Sequence, residues 1–306
     1  MSMGDDKGDG LEFIQENKKR YNLKDLLSSD AVLMGKGNIG NTYRAFLKIG
    51  EVVAVKRLKG QFSYGISKQH LQALGKISHR NLLPFKAYMF SKHEHLLVYD
   101  YMPFGSLYSH LHGGQSETSL GWESRMKVAY GVARGIEHIH KQGHGVCHGN
   151  IRSSNVFLNK SYVARLSEFV IPQLFDKVNL SSEYRAPEVK LASQQGDVYS
   201  FGVLLLELCT NKDLVKEEEG FSIAKWVRLM FQEKEIIDVF YERLRVYNNE
   251  KIGVQMVQML ELAVCCTFEN PEKRPLISVV VKRIEELLCL LTSCSQKSRH
   301  VMYNIN

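Results

Sequence analysis

Over residues 32–59, apolar and polar positions alternate in short runs broken by glycine. Two of these runs, Tyr43-Arg44-Ala45-Phe46-Leu47 and Glu51-Val52-Val53-Ala54-Val55-Lys56, predict β-strands. A helical spacing follows over 67–77, then two more strand patterns over 85–89 and 95–99. Beyond Met102-Pro103-Phe104-Gly105-Ser106 the period changes. Apolar residues recur at i, i+3 and i+4 over 106–112, 122–142, 198–209, 222–232, 253–267 and 276–291, each an amphipathic or buried helix. Strands first and helices afterwards predict an α+β chain of two lobes, 29–101 and 102–292, joined near 99–103. Residues 1–28 are expected to be a flexible lead-in carrying one short helix over 21–28, and 293–306 a polar tail.

Composition narrows the class without changing this layout. The chain has 306 residues, 44% hydrophobic and 24% charged, enough for a substantial core and unlike collagen-like, disordered or small disulfide-rich chains. Its six cysteines show no CxxC spacing and read as reduced core thiols of an intracellular protein. The formal charge of +7 comes without a block of five or more Lys/Arg, which predicts a mildly basic solvated surface and no nucleic-acid partner. No apolar run approaches the roughly 18–20 residues of a membrane helix. Signal-peptide, myristoylation and prenylation patterns are missing too, so a soluble chain is expected, with any membrane attachment made by segments outside it.

Gly35-Lys36-Gly37-Asn38-Ile39-Gly40 matches GxGxxG. A dinucleotide-binding fold opens a helix at such a loop and places an acidic residue about 20 positions on. Here a strand follows, Asn41-Thr42-Tyr43-Arg44-Ala45, and then Val53-Ala54-Val55-Lys56. Glycines between two strands leave backbone N–H groups open to phosphate oxygens, and a lysine on the next strand reaches the same anion. That combination favours a phosphate-covering hairpin over a merely flexible one.

Further motifs lie at Val53-Ala54-Val55-Lys56-Arg57-Leu58, His79-Arg80-Asn81-Leu82-Leu83-Pro84, Leu96-Leu97-Val98-Tyr99-Asp100-Tyr101-Met102 and Gly105-Ser106-Leu107. Others are Tyr184-Arg185-Ala186-Pro187-Glu188, Asp197-Val198-Tyr199-Ser200-Phe201-Gly202-Val203 and Pro271-Glu272-Lys273-Arg274-Pro275. With these the chain resembles a protein kinase domain, specifically the intracellular domain of plant leucine-rich-repeat receptor-like kinases of the inactive kind. The likeness covers residues 21–292 in the family's order. It implies a bilobal fold with a β-rich N-lobe and a helical C-lobe. It also implies a nucleotide contacted by Met34, Gly35, Lys36, Gly37, Asn38, Ile39, Gly40, Asn41, Thr42, Ala54, Lys56, Tyr99, Asp100 and Met102.

The same resemblance exposes departures. Asn150 stands at the catalytic aspartate's position, where an amide can orient a hydroxyl but cannot take its proton. Beside His148, Gly149 occupies the place of an arginine that reads a phosphorylated activation segment. Arg152 replaces a lysine on the transferred phosphate and keeps part of its role, while the magnesium ligand Asn155 is retained. Ser167-Glu168-Phe169-Val170 stands for Asp-Phe-Gly. The extra methylene of Glu168 displaces its carboxylate by about 1.5 Å, and magnesium demands ligands at roughly 2.0–2.1 Å. Val170 is β-branched where glycine gives freedom. His70 aligns with the glutamate that pairs with the lysine, Lys56 here; the alternative is that His70 is an exposed helix residue and another acceptor holds Lys56. If the pair is lost, Lys56 is expected to turn to Glu168 and partly close the site.

The scaffold positions remain. By resemblance Asp197 holds the catalytic loop, and Glu188 and Arg274 form a buried ion pair. Tyr99 either fills a rear pocket or is an ordinary core tyrosine. The hydroxyls of Ser181, Ser182 and Tyr184 are candidates for phosphorylation in trans that recruits a partner. The expected function is a pseudokinase domain on the cytoplasmic side of a plant plasma membrane. It would act as scaffold or allosteric partner for an active kinase, co-receptor or effector, with at most weak ATP binding and doubtful Mg2+ binding. The alternatives are a slow ATP-dependent Ser/Thr kinase, since Lys56, Arg152, Asn155 and the glycine loop remain, and an ATP-sensing switch without transfer.

Overall fold

The computed structural model describes residues 10–15, 21–59, 68–91, 94–113, 120–169, 171–174, 183–188, 192–218, 220–245 and 250–302. They divide into two units, one reaching Pro103 and including 171–174, the other made of Phe104–Phe169 and the described residues from 183 onward. The division falls two residues beyond the predicted lobe boundary.

In the first unit the order is β1 (Glu12–Phe13), α1 (Leu23–Leu27), β2 (Asp30–Lys36), β3 (Gly40–Phe46), β4 (Val52–Leu58), α2 (Lys68–Gly75), β5 (Leu82–Leu83), β6 (Phe85–Phe90) and β7 (His95–Asp100). Six strands pair antiparallel in the order β1-β6-β7-β4-β3-β2. Strand alternation sends Val53 and Val55 of β4 and Leu96 and Val98 of β7 into one core with Ala45, Ala87 and Met89. Ala54, Lys56, Leu97 and Tyr99 consequently lie on the opposite face.

The lead-in differs from expectation. Leu11, Phe13, Tyr21 and Leu26 belong to the same core, and β1 extends the sheet beside β6. Asn22 and Asp25 close a capping box on α1. Burying a large apolar side chain is worth about 1.5–3 kcal/mol, so the described part of residues 1–28 is fastened to the sheet rather than flexible. Residues 1–9, read as disordered, lie outside the described residues.

The second unit contains α3 (Leu107–His112), α4 (Trp122–His140), β8 (Val156–Leu158), β9 (Ala164–Ser167), α5 (Gln194–Thr210), α6 (Ile223–Gln232), α7 (Ile236–Val239), α8 (Glu242–Arg245), α9 (Glu250–Cys266) and α10 (Ile277–Met302). The apolar run in α5 is explained by burial on nearly every side, with α9 packed against it and α10 against α4. The buried Arg125 of α4 donates to the carbonyls of Leu120 (2.7 Å) and Leu208 (2.5 Å) and to Asn211 Oδ1 (2.9 Å). Helix ends leave carbonyls without partners, and this guanidinium supplies donors where α5 stops. The helix α10 continues into the polar tail as far as Met302, with no glycine or proline over 277–302 to interrupt it. Cys147, Cys209 and Cys266 are buried, and burial pushes the Cys147 and Cys209 thiols up to about 12; Cys265 and Cys289 are exposed. Among the described residues no helix is long and apolar enough to cross a membrane.

Candidate functional site

The glycine motif forms a hairpin, as its context predicted. Gly37 and Gly40 exchange backbone hydrogen bonds (2.9 and 3.2 Å), leaving Asn38 and Ile39 at the turn between β2 and β3. A Cβ on Gly40 would lie 2.2 Å from the Arg57 carbonyl, so this glycine is demanded by strand packing; space around Gly35 is open. Met34, Lys36 and Asn41 belong to the same pair of strands. Thr42 pairs with Lys56 and Ala54 with Tyr99 in the sheet register. Lys56 is buried. Tyr99 is buried with its ring edge-on to Phe85, a core position. The Asp100 carboxylate pairs with Lys86 at 2.5 Å, and Met102 follows β7 half-buried. His70 is exposed on α2, whose Leu71 and Leu74 face the core.

In the second unit a ring of hydrogen bonds fixes the loop that carries Asn150. The Asn150 N–H donates to His148 Nδ1 (3.1 Å), and Asn155 Nδ2 donates to the Asn150 carbonyl (2.9 Å). Ser167 Oγ donates to the Asn155 carbonyl (3.0 Å), and His148 Nε2 returns to the Ser167 carbonyl (2.9 Å). A carbonyl only accepts, so Nε2 carries the proton, and Nδ1, accepting from Asn150, does not. Burial, opposed by the Asp197 carboxylate, holds the His148 imidazole below its ordinary value and in this neutral form. Asp197 accepts from the backbone N–H groups of His148 (2.6 Å) and Gly149 (2.7 Å) and from His140 Nε2 (2.8 Å). Gly149 has φ 74°, a conformation that costs glycine nothing.

Glu168 adopts φ 70°, a left-handed conformation that costs a residue with a side chain about 1–2 kcal/mol. Its Oε2 accepts from Asn150 Nδ2 at 3.1 Å. A carboxylate accepts only, which sets the amide with its nitrogen toward Glu168. The two positions to which the resemblance assigns a proton acceptor and a metal ligand are thus bonded to each other. Phe169 is buried, and Arg152 is half-buried just before the turn Ser153–Asn155. Val170, Ser181 and Ser182 lie outside the described residues. Among the described residues no cluster of three or more His, Cys, Asp or Glu side chains suits a metal ion, and Oε2 of Glu168, an oxygen a magnesium ion would share, is engaged by an amide donor, which disfavours a magnesium centre here.

Two corrections concern the scaffold. Arg274 is buried and donates to both Glu188 oxygens (2.6 and 2.7 Å), but the Glu188 side chain keeps 31% of its surface, so this pair is buried on one side only. Tyr184, expected as a phosphate acceptor, is buried: it donates to Glu207 Oε2 (2.5 Å) and lies 3.1 Å from Ser153 Oγ. Burial, with the Glu207 carboxylate beside it, pushes the Tyr184 hydroxyl well above the ordinary tyrosine range. Glu207, wholly buried, also holds Ser153 Oγ (2.8 Å) and His112 Nε2 (2.9 Å). This cluster escaped the motif reading; its signal was one glutamate inside the run Leu204-Leu205-Leu206-Glu207-Leu208. Tyr184→Phe is expected to cost about 2 kcal/mol in urea unfolding, because it leaves a buried carboxylate oxygen short of its donor.

The model of the protein tyrosine and serine/threonine kinase family matches residues 30–284. The chain belongs to the protein kinase family. This kinase domain is 42% identical over 291 residues to a probable inactive receptor kinase of Arabidopsis thaliana, covering 90% of this chain and 44% of that protein. It therefore spans less than half the length of that relative. Among solved structures, the pseudokinase domain of BIR2, described as an immune regulator of the RLK/Pelle family, gives a TM-score of 0.76 at 27% identity over 91% of this chain and 90% of that one. The kinase domain of maize sucrose-induced receptor kinase 1, solved with AMP-PNP, gives 0.80 at 25% identity over 90% and 99%. The predicted fold, a β-sheet lobe followed by a helical lobe, is that of these structures.

Proposed function

We propose that this kinase domain is a pseudokinase that works by binding a protein partner, an active kinase, co-receptor or downstream effector, on the cytoplasmic side of a plant plasma membrane. The observation that carries the reading is the bond from Asn150 Nδ2 to Glu168 Oε2: the residue at the proton acceptor's place is a donor, spent on the carboxylate at the metal's place. Loss of a general base alone costs about 10²–10⁴ in rate. The frame around the loop is intact, through Asp197, Arg274 and Glu207, which supports a role for the folded surface. Receptor kinases named inactive and the BIR2 pseudokinase neighbour support the same reading.

A radiolabel transfer assay with MgATP tests it. The unmodified protein is expected to give no incorporation above that of Lys56→Ala; incorporation that Lys56→Ala abolishes overturns the proposal. A second reading, nucleotide sensing without transfer, is favoured by the buried Lys56 opposite Thr42 beneath an open glycine hairpin. An ATP-induced rise in unfolding temperature without transfer selects it.

A further inference from the structure

We propose that the side-chain amide of Asn150 replaces the divalent cation at this site, so that the loop is held shut by the chain's own groups whether or not Mg2+ is present. The inference rests on the pseudokinase reading and specifies how that site is regulated, namely independently of cations. A half-buried carboxylate on a left-handed backbone needs a positive or donating partner to stay in place. In a magnesium-dependent site the metal is one such partner; here Asn150 Nδ2 is one, with its N–H donated to Oε2 at 3.1 Å. The backbone that presents this amide is fixed. Its N–H is committed to His148 Nδ1 and its carbonyl to Asn155 Nδ2. The Asn155 carbonyl is committed in turn to Ser167 Oγ, one residue before Glu168, and the Ser167 carbonyl to His148 Nε2. The ring that carries Asn150 is closed entirely by neutral groups. A cation binding through Oε2 of Glu168 competes with a donor that is already in position. An aspartate at position 150 reverses the situation, because two carboxylates would face each other across a hydrogen-bond distance and require a cation or a proton between them.

Thermal unfolding of the nucleotide-free protein in EDTA, in Mg2+, and in NaCl of matched ionic strength tests this. The unmodified protein is expected to unfold within about 1 °C of the same temperature in all three. Asn150→Asp is expected to unfold about 4 °C or more lower in EDTA, and to recover in Mg2+ but not in NaCl. Asn150→Ala, which removes the donor without adding charge, is expected to gain a Mg2+-dependent rise that the unmodified protein lacks. A Mg2+ response of the unmodified protein as large as that of Asn150→Asp overturns the proposal. So does an Asn150→Asp protein as stable as the original in EDTA, or, should that variant not fold, an Asn150→Ala protein indifferent to Mg2+. No nucleotide enters this measurement, so its failure is distinct from a positive transfer assay, which would remove the pseudokinase reading alone.

Discussion

Arg274→Met is expected to lower the unfolding free energy by about 3–4 kcal/mol, and Glu188→Gln by only about 1 kcal/mol. The asymmetry follows from burial. The Arg274 side chain has no exposed surface, and besides Glu188 it donates to the carbonyls of Phe268 (2.8 Å), Gln195 (3.0 Å) and Glu269 (3.2 Å) while its guanidinium lies 4.9 Å from the Tyr199 ring centroid. Methionine leaves three carbonyls without donors, whereas glutamine at 188 keeps an oxygen for the guanidinium, whose three carbonyl partners stay in place. Burial alone would raise the Glu188 pKa, but the hydrogen bonds and charge of Arg274 outweigh it and hold it below the ordinary glutamate value. The unfolded chain therefore binds the proton first as the pH falls. The pair's contribution is complete above the ordinary value of about 4.3 and is lost as the pH falls through the lower folded one. Urea titrations between neutral pH and about pH 3 should show an acid limb that Arg274→Met flattens; an unchanged limb would mean that other carboxylates carry it.

Asp197→Ala should cost about 3 kcal/mol or more, since hydrogen bonds to a charged acceptor contribute about 1.5–3 kcal/mol each and three donors converge on this carboxylate. Asp197→Asn should be damaging too despite its matched shape, because its NH2 replaces one of the two oxygens and turns a donor toward one of the two backbone N–H groups, His148 on Oδ2 or Gly149 on Oδ1, which has nowhere else to point. Hydrogen exchange gives the local check: the His148 and Gly149 amides should lose protection in either variant while those of β4 in the first unit keep theirs. Equal protection in the variant and the original would show that Asp197 does not anchor the loop.

What could be read beforehand follows from the length scale of each signal. The long helices and the strands of the glycine hairpin repeat their pattern over several periods, and so α5, whose apolar residues recur on both sides of Glu207, could be read as a helix. β8 and β9, three and four residues long, are too short to show one. The catalytic-loop departures at Asn150 and Glu168 were legible because the residue type changes the chemistry outright. Their mutual hydrogen bond was not, because 18 positions separate them and only the fold brings an amide nitrogen to a carboxylate. Tyr184 misled for the opposite reason: a hydroxyl in a segment that suggests exposure gives no hint that Glu207, 23 residues later, has buried it. The lead-in was misjudged because Leu11, Phe13, Tyr21 and Leu26 sit among polar neighbours and show their common core only after β1 has paired with β6.

The backbone at Gly149 has a consequence for redesign. At φ 74° any residue with a Cβ costs about 1–2 kcal/mol, so an arginine returning there would be strained on this frame before it met any phosphate. An aspartate returning at 150 would meet Glu168 without a donor between them. Each of these changes, made singly on this frame, is expected to lower stability. A designed return of both residues would have to relieve the backbone at 149 and supply a donor to Glu168 together.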